Sequence, residues 1–98
     1  MKVTRNLNGT ELEIALEGRL DAVSAPELER ELQESLNGVT QLTFDLEKLN
    51  YISSAGLRVL LSAKLLLGEE GTMKVKNVNE VVQDVFDATG FSSLFSIE

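Results

Sequence analysis

The sequence predicts a single α/β domain, residues 1–98, with a mixed sheet of about four to five strands, an N-terminal hairpin and helices mainly on one face. Asn8-Gly9 separates two alternating segments, which is a strong signal of an antiparallel hairpin. Strand-like and helix-like segments then follow each other, which predicts crossover connections and parallel strands. These strands alternate apolar and polar residues, so helices are expected to cover only one sheet face.

Local patterns define the second hairpin strand and the first helix. Apolar residues occupy alternate positions over 12–16, so one face of that strand should point to the core. Ser24 and Glu27 precede an apolar periodic run and are three residues apart, which predicts a capping box. Val23 is expected to pack on Leu28 as a hydrophobic staple. The first helix is therefore expected to begin at Ser24.

A third strand and the most apolar helix come next. Alternation predicts the strand over 39–46. The following helix is apolar almost all round, which predicts that it is the best buried helix of the domain. Ser53 or Ser54 should lie at its N-terminus, because a serine hydroxyl can accept a hydrogen bond from a free N–H of the first turn. Its inward residues are expected to be Leu57, Leu60, Leu61, Leu65 and Leu66.

The last third of the chain supplies a fourth strand, a helix and an apolar tail. The turn at 68–71 contains two glycines, and alternating residues follow it. The final helix has Asn77 or Asn79 as its cap and Gly90 as its stop signal. The tail, 91–97, is expected to pack on this helix or on the sheet edge.

Composition excludes several kinds of chemistry. The chain has no cysteine and no histidine, which excludes disulfides, a Ser-His-Asp triad and the common zinc and haem sites. It also lacks the glycine-rich loops that bind nucleotide phosphates. The net charge of −7 opposes binding to nucleic acid and to anionic membranes. We therefore expect no enzyme activity, no cofactor and no nucleic-acid partner. No signal peptide is visible and the longest apolar stretch, 59–67, is too short to cross a bilayer, so we also expect a cytoplasmic protein with no membrane insertion.

The two adjacent serines are the candidate functional residues. An alanine and a glycine follow Ser53 and Ser54 and add almost no bulk, so an accessible hydroxyl is plausible there. The alternative is that the serines only cap the helix. Asp21 and Asp45 are expected to approach Ser54 from strand ends, but a serine without a tuned base is a weak nucleophile. Ser54 is therefore interpreted as a substrate and not as a catalyst.

The segment 51–61, preceded by Phe44-Asp45-Leu46, resembles the signature of the anti-sigma factor antagonists, which are bacterial members of the STAS domain family. In that family a strand ends in an aspartate-leucine step, and a Ser-Ser-Gly-Leu or Ser-Ala-Gly-Leu step opens a helix. Gly18-Arg19-Leu20-Asp21 and the segment 85–91 extend the resemblance over nearly the whole chain. It implies a STAS-like fold.

The resemblance also implies a function. In similar proteins the unmodified form binds an anti-sigma factor, often a serine kinase, and so frees the sigma factor; phosphorylation ends the binding and a serine phosphatase restores it. The phosphorylated serine is the second residue before the glycine, here Ser54, with Ser53 as the alternative acceptor. Ser53 stands where many members carry aspartate. The implied partner-binding residues are Asp21, Ser53, Ser54, Gly56, Leu57, Arg58 and Ser62.

Two alternatives belong to other functional classes. One is a STAS domain that serves as a scaffold subunit of a transporter or signalling complex, where the serines only cap the helix. The other is direct nucleotide binding or slow hydrolysis near Ser54.

Overall fold

A computed structural model describes residues 1–98 as a five-stranded sheet with three α-helices and one short 3₁₀-helix. In chain order the elements are β1 (Lys2–Asn8), β2 (Glu11–Leu20), α1 (Ala25–Ser35), β3 (Gln41–Ile52), α2 (Ser54–Leu67), β4 (Thr72–Lys76), α3 (Glu80–Thr89), the 3₁₀-helix (Phe91–Ser93) and β5 (Ser96–Ile97). The strands lie in the order β1-β2-β3-β4-β5, with β1 and β2 antiparallel and the other pairs parallel. The predicted mixed sheet with an N-terminal hairpin is confirmed.

The hydrophobic core lies on one face of the sheet. Ile14, Phe44 and Val75 form a fully buried row across three neighbouring strands. The three helices cover this face: α1 packs on α2, α2 contacts β3 and β4, and α3 contacts β3. The opposite face is polar and carries an ion pair between Lys76 and Glu13. Burial therefore follows the alternation of the strand sequences, as the sequence predicted.

The hairpin is fixed both at its turn and along its outer strand. Gly9 has a φ of +64°, a value that glycine adopts without steric cost and that the tight turn requires. On the outer strand, Arg5 donates a hydrogen bond of 2.6 Å to the hydroxyl of Ser35 and pairs with Glu31 at 3.3 Å. These contacts fasten β1 to α1.

Strand β3 is longer than the predicted strand over 39–46 and continues to Ile52. The register between β2 and β3 shifts twice, between Ala15 and Glu17 and again just before Arg19. Two consecutive exposed residues, at 47 and 48, interrupt the alternation that the sequence prediction relied on, and β-bulges absorb such interruptions. As a result Ile52 lies beside Leu20, so β3 ends next to β2 and α2 begins there.

Burial along α2 is uneven, which corrects the prediction for this helix. Leu65 and Leu66, expected to face the core, are 72% and 51% exposed. Apolarity all round a helix does not indicate which side its neighbours cover, and here those neighbours are α1, β3 and β4. The buried residues of α2 are Gly56, Leu57, Val59, Leu60 and Ala63.

The C-terminal elements follow the prediction. The Asn79 side chain accepts a hydrogen bond of 2.9 Å from the Val82 N–H, so Asn79 is the N-cap of α3. Gly90 ends the helix in the left-handed conformation, with a φ of +78°. Phe95 of the tail is buried, and its ring centroid lies 6.1 Å from that of Phe86. None of the helices is long and apolar enough to span a membrane.

Candidate functional site

Ser53 holds the start of α2 in place. Its backbone is extended, with φ −100° and ψ 175°, and its hydroxyl accepts a hydrogen bond of 3.4 Å from the Gly56 N–H. Its own N–H donates to the carbonyl oxygen of Leu20 at 2.9 Å. Ser53 is therefore the N-cap of α2, and it also joins the helix start to the end of β2.

Ser54 is the first residue of α2 and has a different environment. Its side chain is exposed, and its hydroxyl makes no hydrogen bond to another protein atom. The two adjacent serines thus have separate roles: one hydroxyl stabilises the helix and the other is free on the surface. Replacing or modifying the Ser54 hydroxyl breaks no hydrogen bond of the fold.

Gly56 is buried beneath the serines. A Cβ atom at this position would lie 2.7 Å from Leu20 Cγ and 2.9 Å from Ile52 Cγ1, closer than packed carbon atoms approach. Leu57 is only 2% exposed. The sequence interpretation placed Gly56 and Leu57 among the residues that contact a partner. Both are buried in the domain, where they belong to the packing that positions Ser54, and their contact with a partner stays a prediction.

The turn between β2 and α1 lies at the same end of the sheet and is organised by Asp21. One carboxylate oxygen of Asp21 accepts hydrogen bonds from the N–H groups of Val23 at 3.0 Å and Ser24 at 3.1 Å. The Ser24 hydroxyl donates to the Arg19 carbonyl oxygen at 2.8 Å and accepts from the Asp21 N–H at 3.0 Å. The hydrogen bond from the Ser24 N–H lowers the pKa of Asp21, and the bond from the Val23 N–H and the nearby Arg19 charge act in the same direction.

This turn contradicts the predicted capping box and staple. Ser24 occupies the N-cap position of α1, but its hydroxyl makes no capping bond and its backbone is helical, with φ −89° and ψ −21°. The bonds to Arg19 and Asp21 already engage that hydroxyl. Val23 is 89% exposed and so does not pack on Leu28.

Arg19 and Tyr51 form a contact that the sequence interpretation missed. The guanidinium carbon of Arg19 lies 4.3 Å from the ring centroid of Tyr51, within the range of a cation–π interaction. Arg19 Nε also lies 3.7 Å from a carboxylate oxygen of Asp21. The two residues are neighbours only because β2 and β3 pair in parallel with a shifted register. Arg19 belongs to the GRLD motif and Tyr51 to the YISS motif, but nothing in the spacing of the two motifs along the chain predicts that these residues are in contact.

Asp45 is not part of this site, contrary to the sequence expectation. It lies well before the end of β3, and a rise of about 3.3 Å per residue puts it roughly 20 Å from Ser54. Its carboxylate accepts hydrogen bonds from the Asn77 amide at 3.0 Å and the Glu47 N–H at 3.1 Å. Partial burial opposes ionisation, but these two bonds and the nearby Lys76 lower the pKa of Asp45 overall.

Arg58 and Ser62 continue the site along α2. Both border a groove of about 310 Å³ between α1 and α2, which Ala25, Pro26, Glu29 and Ala55 also line. Arg58 is exposed and is in no ion pair, and Ser62 is half-buried. Ser54, Arg58 and Ser62 follow at intervals of four and lie along one edge of the helix, as predicted.

Comparisons with known proteins identify chains that are similar in sequence. A family model described as "Mlab, STAS domain" matches residues 3–96. The protein BtrV of Bordetella bronchiseptica, assigned as an anti-sigma factor antagonist, is 37% identical over 99 residues, which cover 99% of this chain and 85% of BtrV.

Two solved structures share the fold. A crystal structure of an anti-sigma factor antagonist from Mycobacterium paratuberculosis superposes with a TM-score of 0.89 at 22% identity, covering 98% of this chain and 83% of the other. The Bacillus cell fate determinant SpoIIAA in its phosphorylated form superposes with a TM-score of 0.77 at 18% identity, covering 99% and 91%.

Proposed function

The chain belongs to the STAS domain family, among its anti-sigma factor antagonists, and we propose that its unmodified form binds an anti-sigma factor and thereby frees a sigma factor. Phosphorylation of Ser54 ends this binding, and a serine phosphatase restores it. The anti-sigma factor is itself the serine kinase. The observation that carries the proposal is the exposed, unbonded hydroxyl of Ser54 beside the capping hydroxyl of Ser53.

The domain is the substrate of the phosphoryl transfer and has no enzymatic role of its own. The Ser54 oxygen attacks the γ-phosphorus of ATP held by the kinase. A bond forms between these two atoms, the bond from the γ-phosphorus to the β,γ-bridging oxygen breaks, and ADP leaves. A base of the kinase takes the hydroxyl proton. The phosphatase reverses the modification with water as the nucleophile, releasing inorganic phosphate and restoring the hydroxyl.

The two serines differ in what a phosphate would cost the fold. At Ser53 the phosphate would be attached to a half-buried side chain at the junction of β2 and α2, and its bulk would have to be accommodated there. At Ser54 it would replace no existing bond, and negative charge is favourable at the first residue of a helix, because the free N–H groups and the helix dipole point there. The SpoIIAA structure is consistent with this proposal, since the same fold is known there in a phosphorylated form. We therefore assign the modification to Ser54.

Loss of binding follows from the charge of the phosphate. It adds about −1.5 to −2 charges in the middle of the proposed contact surface. Burying that charge against a partner without a counter-charge costs several kcal/mol, and about 1.4 kcal/mol already changes an affinity tenfold. The contact surface consists of exposed and half-exposed groups, namely Asp21, Ser54, Arg58 and Ser62, while Gly56 and Leu57 support it from below.

A pull-down from a lysate of the source organism tests the proposal. The baits are the unmodified domain, Ser54→Ala, Ser54→Asp and, as a matched control, Ser96→Asp. Ser96 is an exposed serine in β5 with no side-chain hydrogen bond. The Ser96→Asp substitution therefore adds the same negative charge at a surface outside the proposed contact site. An anti-sigma factor is expected on the unmodified, Ser54→Ala and Ser96→Asp baits and should be lost from Ser54→Asp.

The purified partner then gives the affinities by calorimetry. We expect Ser54→Asp to raise the Kd at least about 100-fold and Ser96→Asp to leave it within about threefold. An unchanged affinity for Ser54→Asp would contradict the switch. Retention of one membrane-associated complex by all four baits would instead support the scaffold function, with the serines acting only as caps.

A further inference from the structure

We propose that Arg58 is the internal counter-charge of a phosphate on Ser54, so that modification also withdraws Arg58 from the partner surface. The inference rests on the proposed function in one respect: Ser54 is the modified residue. It concerns what happens inside the domain once the phosphate is present.

The geometry of α2 places the two side chains together. Ser54 and Arg58 are four residues apart in one continuous helix, where Cβ atoms at this spacing lie about 5–6 Å from each other. Helical side chains tend to lean toward the N-terminus, so the Arg58 side chain, which borders the groove between α1 and α2, can turn toward the first turn that contains Ser54. A phosphate on the Ser54 oxygen lies within reach of the long arginine side chain.

Arg58 is available for this role. Arg5 and Arg19 are engaged with Glu31 and Asp21, whereas Arg58 makes no ion pair and no side-chain hydrogen bond. Glu29 of α1 is the one acidic residue that lines the same groove, and it does not pair with Arg58. No existing contact has to break before Arg58 binds the phosphate.

The chemistry of the two groups favours the pair. A guanidinium presents a planar fork of N–H donors that binds two phosphate oxygens at once, and such charge-assisted hydrogen bonds are stronger than neutral ones. In the unmodified domain the guanidinium is free to contact a partner. With the phosphate present, the partner meets an anion and also loses the cation. A single modification therefore changes two features of the surface.

A phosphorus NMR titration of the domain with phosphoserine at position 54 tests the pairing. Phosphoserine is incorporated directly during synthesis, so neither a kinase nor a partner is needed. A neighbouring cation favours the doubly charged phosphate, so its second pKa, ordinarily about 6, should be lowered. We expect Arg58→Gln to raise that pKa by about 0.5 unit compared with the parent phosphoprotein.

Lys64→Gln is the matched control. It removes the same charge from the same helix, but Lys64 lies about 15 Å from Ser54 along the helix axis. That separation exceeds the Debye length of about 8 Å at physiological salt. Lys64→Gln should change the phosphate pKa by less than about 0.1 unit. Equal shifts for Arg58→Gln and Lys64→Gln, or no shift for either, would overturn the inference. Either result leaves the pull-down outcome untouched, because that experiment depends on the partner and this one does not.

Discussion

The starts of α1 and α2 look alike in sequence and differ in structure. Each follows a parallel strand, and each has a serine at the N-cap position. At α2 the Ser53 hydroxyl caps the helix, which leaves the Ser54 hydroxyl free. At α1 the Ser24 hydroxyl binds the preceding turn, and the Asp21 carboxylate accepts from the N–H groups. Because α2 has two adjacent serines at its start, Ser53 can cap the helix while the hydroxyl of Ser54 remains unbonded.

The difference shows how the proposed modification site, Ser54, is separated from the residues that hold the helix start in place. At α1 the polar side chains of the turn, Arg19, Asp21 and Ser24, all have partners within the turn, so none of them has a free hydroxyl like that of Ser54. At α2 capping, close packing and exposure fall to three different residues: Ser53, Gly56 and Ser54. The three predictions below test this division.

The largest effect is expected from Gly56→Ala, which adds a methyl group where the start of α2 packs closely against Leu20 and Ile52. Alanine normally stabilises a helix relative to glycine by up to about 1 kcal/mol. Here the added Cβ would lie 2.7 Å from Leu20 Cγ and 2.9 Å from the Leu20 carbonyl oxygen, which is backbone and cannot easily move. We expect a net loss of about 1–3 kcal/mol in the free energy of unfolding, measured by urea denaturation. Ser62→Ala is the control in the same helix. Equal stability of the two variants would show that the helix start yields to the methyl group.

A smaller effect should separate the serines at the two N-cap positions, Ser24 and Ser53, when each becomes aspartate. Ser53→Asp keeps an acceptor for the Gly56 N–H, so stability should change by less than about 0.5 kcal/mol. Ser24→Asp removes the donor to the Arg19 carbonyl oxygen and adds a carboxylate beside Asp21, so a loss of about 1–2 kcal/mol is expected. Thermal melts of both variants at pH 7 provide the comparison. A loss at position 53 as large as at position 24 would mean that the two starts are equivalent after all.

The smallest effect concerns pH and the turn before α1. The folded state lowers the pKa of Asp21 below its ordinary 3.8, so its stabilising contribution is complete above that value. The contribution is lost as the pH falls through the lower folded pKa. Asp21→Asn should therefore make stability less dependent on pH below about 4, as measured by urea denaturation between pH 2.5 and about 6. Part of the dependence should remain, because the pKa of Asp45 is also lowered. Asp84→Asn, at an exposed residue of α3 without a side-chain partner, should keep the full dependence.

Local signals in the sequence were enough for much of the fold. The Asn8-Gly9 turn, the Asn79 cap and the Gly90 stop depend on residues within one or two turns of each other. The alternation of the strands also set which sheet face is covered. For the candidate site, the same kind of signal placed the two serines at the start of α2.

The errors arose where contacts outside the sequence pattern itself decide the outcome. Ser24 has the spacing of a capping box, but its hydroxyl is taken by backbone groups of the preceding turn. The contact between Arg19 and Tyr51 depends on a shifted parallel register that no spacing in the chain encodes. Leu65 lies outside the stripe that the neighbours of α2 cover. The sequence also could not show which of the two serine hydroxyls is free, because that depends on the cap geometry of Ser53.

The bond from the Ser53 N–H to the Leu20 carbonyl oxygen, together with the packing of Gly56 on Leu20, joins segments more than 30 residues apart in the chain. A short peptide containing Ser54 has neither contact and is too short to form a stable helix alone. An enzyme that modifies Ser54 as proposed would therefore have to recognise the folded surface around the serine and not an extended peptide. A synthetic peptide spanning the serine should consequently be a much poorer substrate than the folded domain.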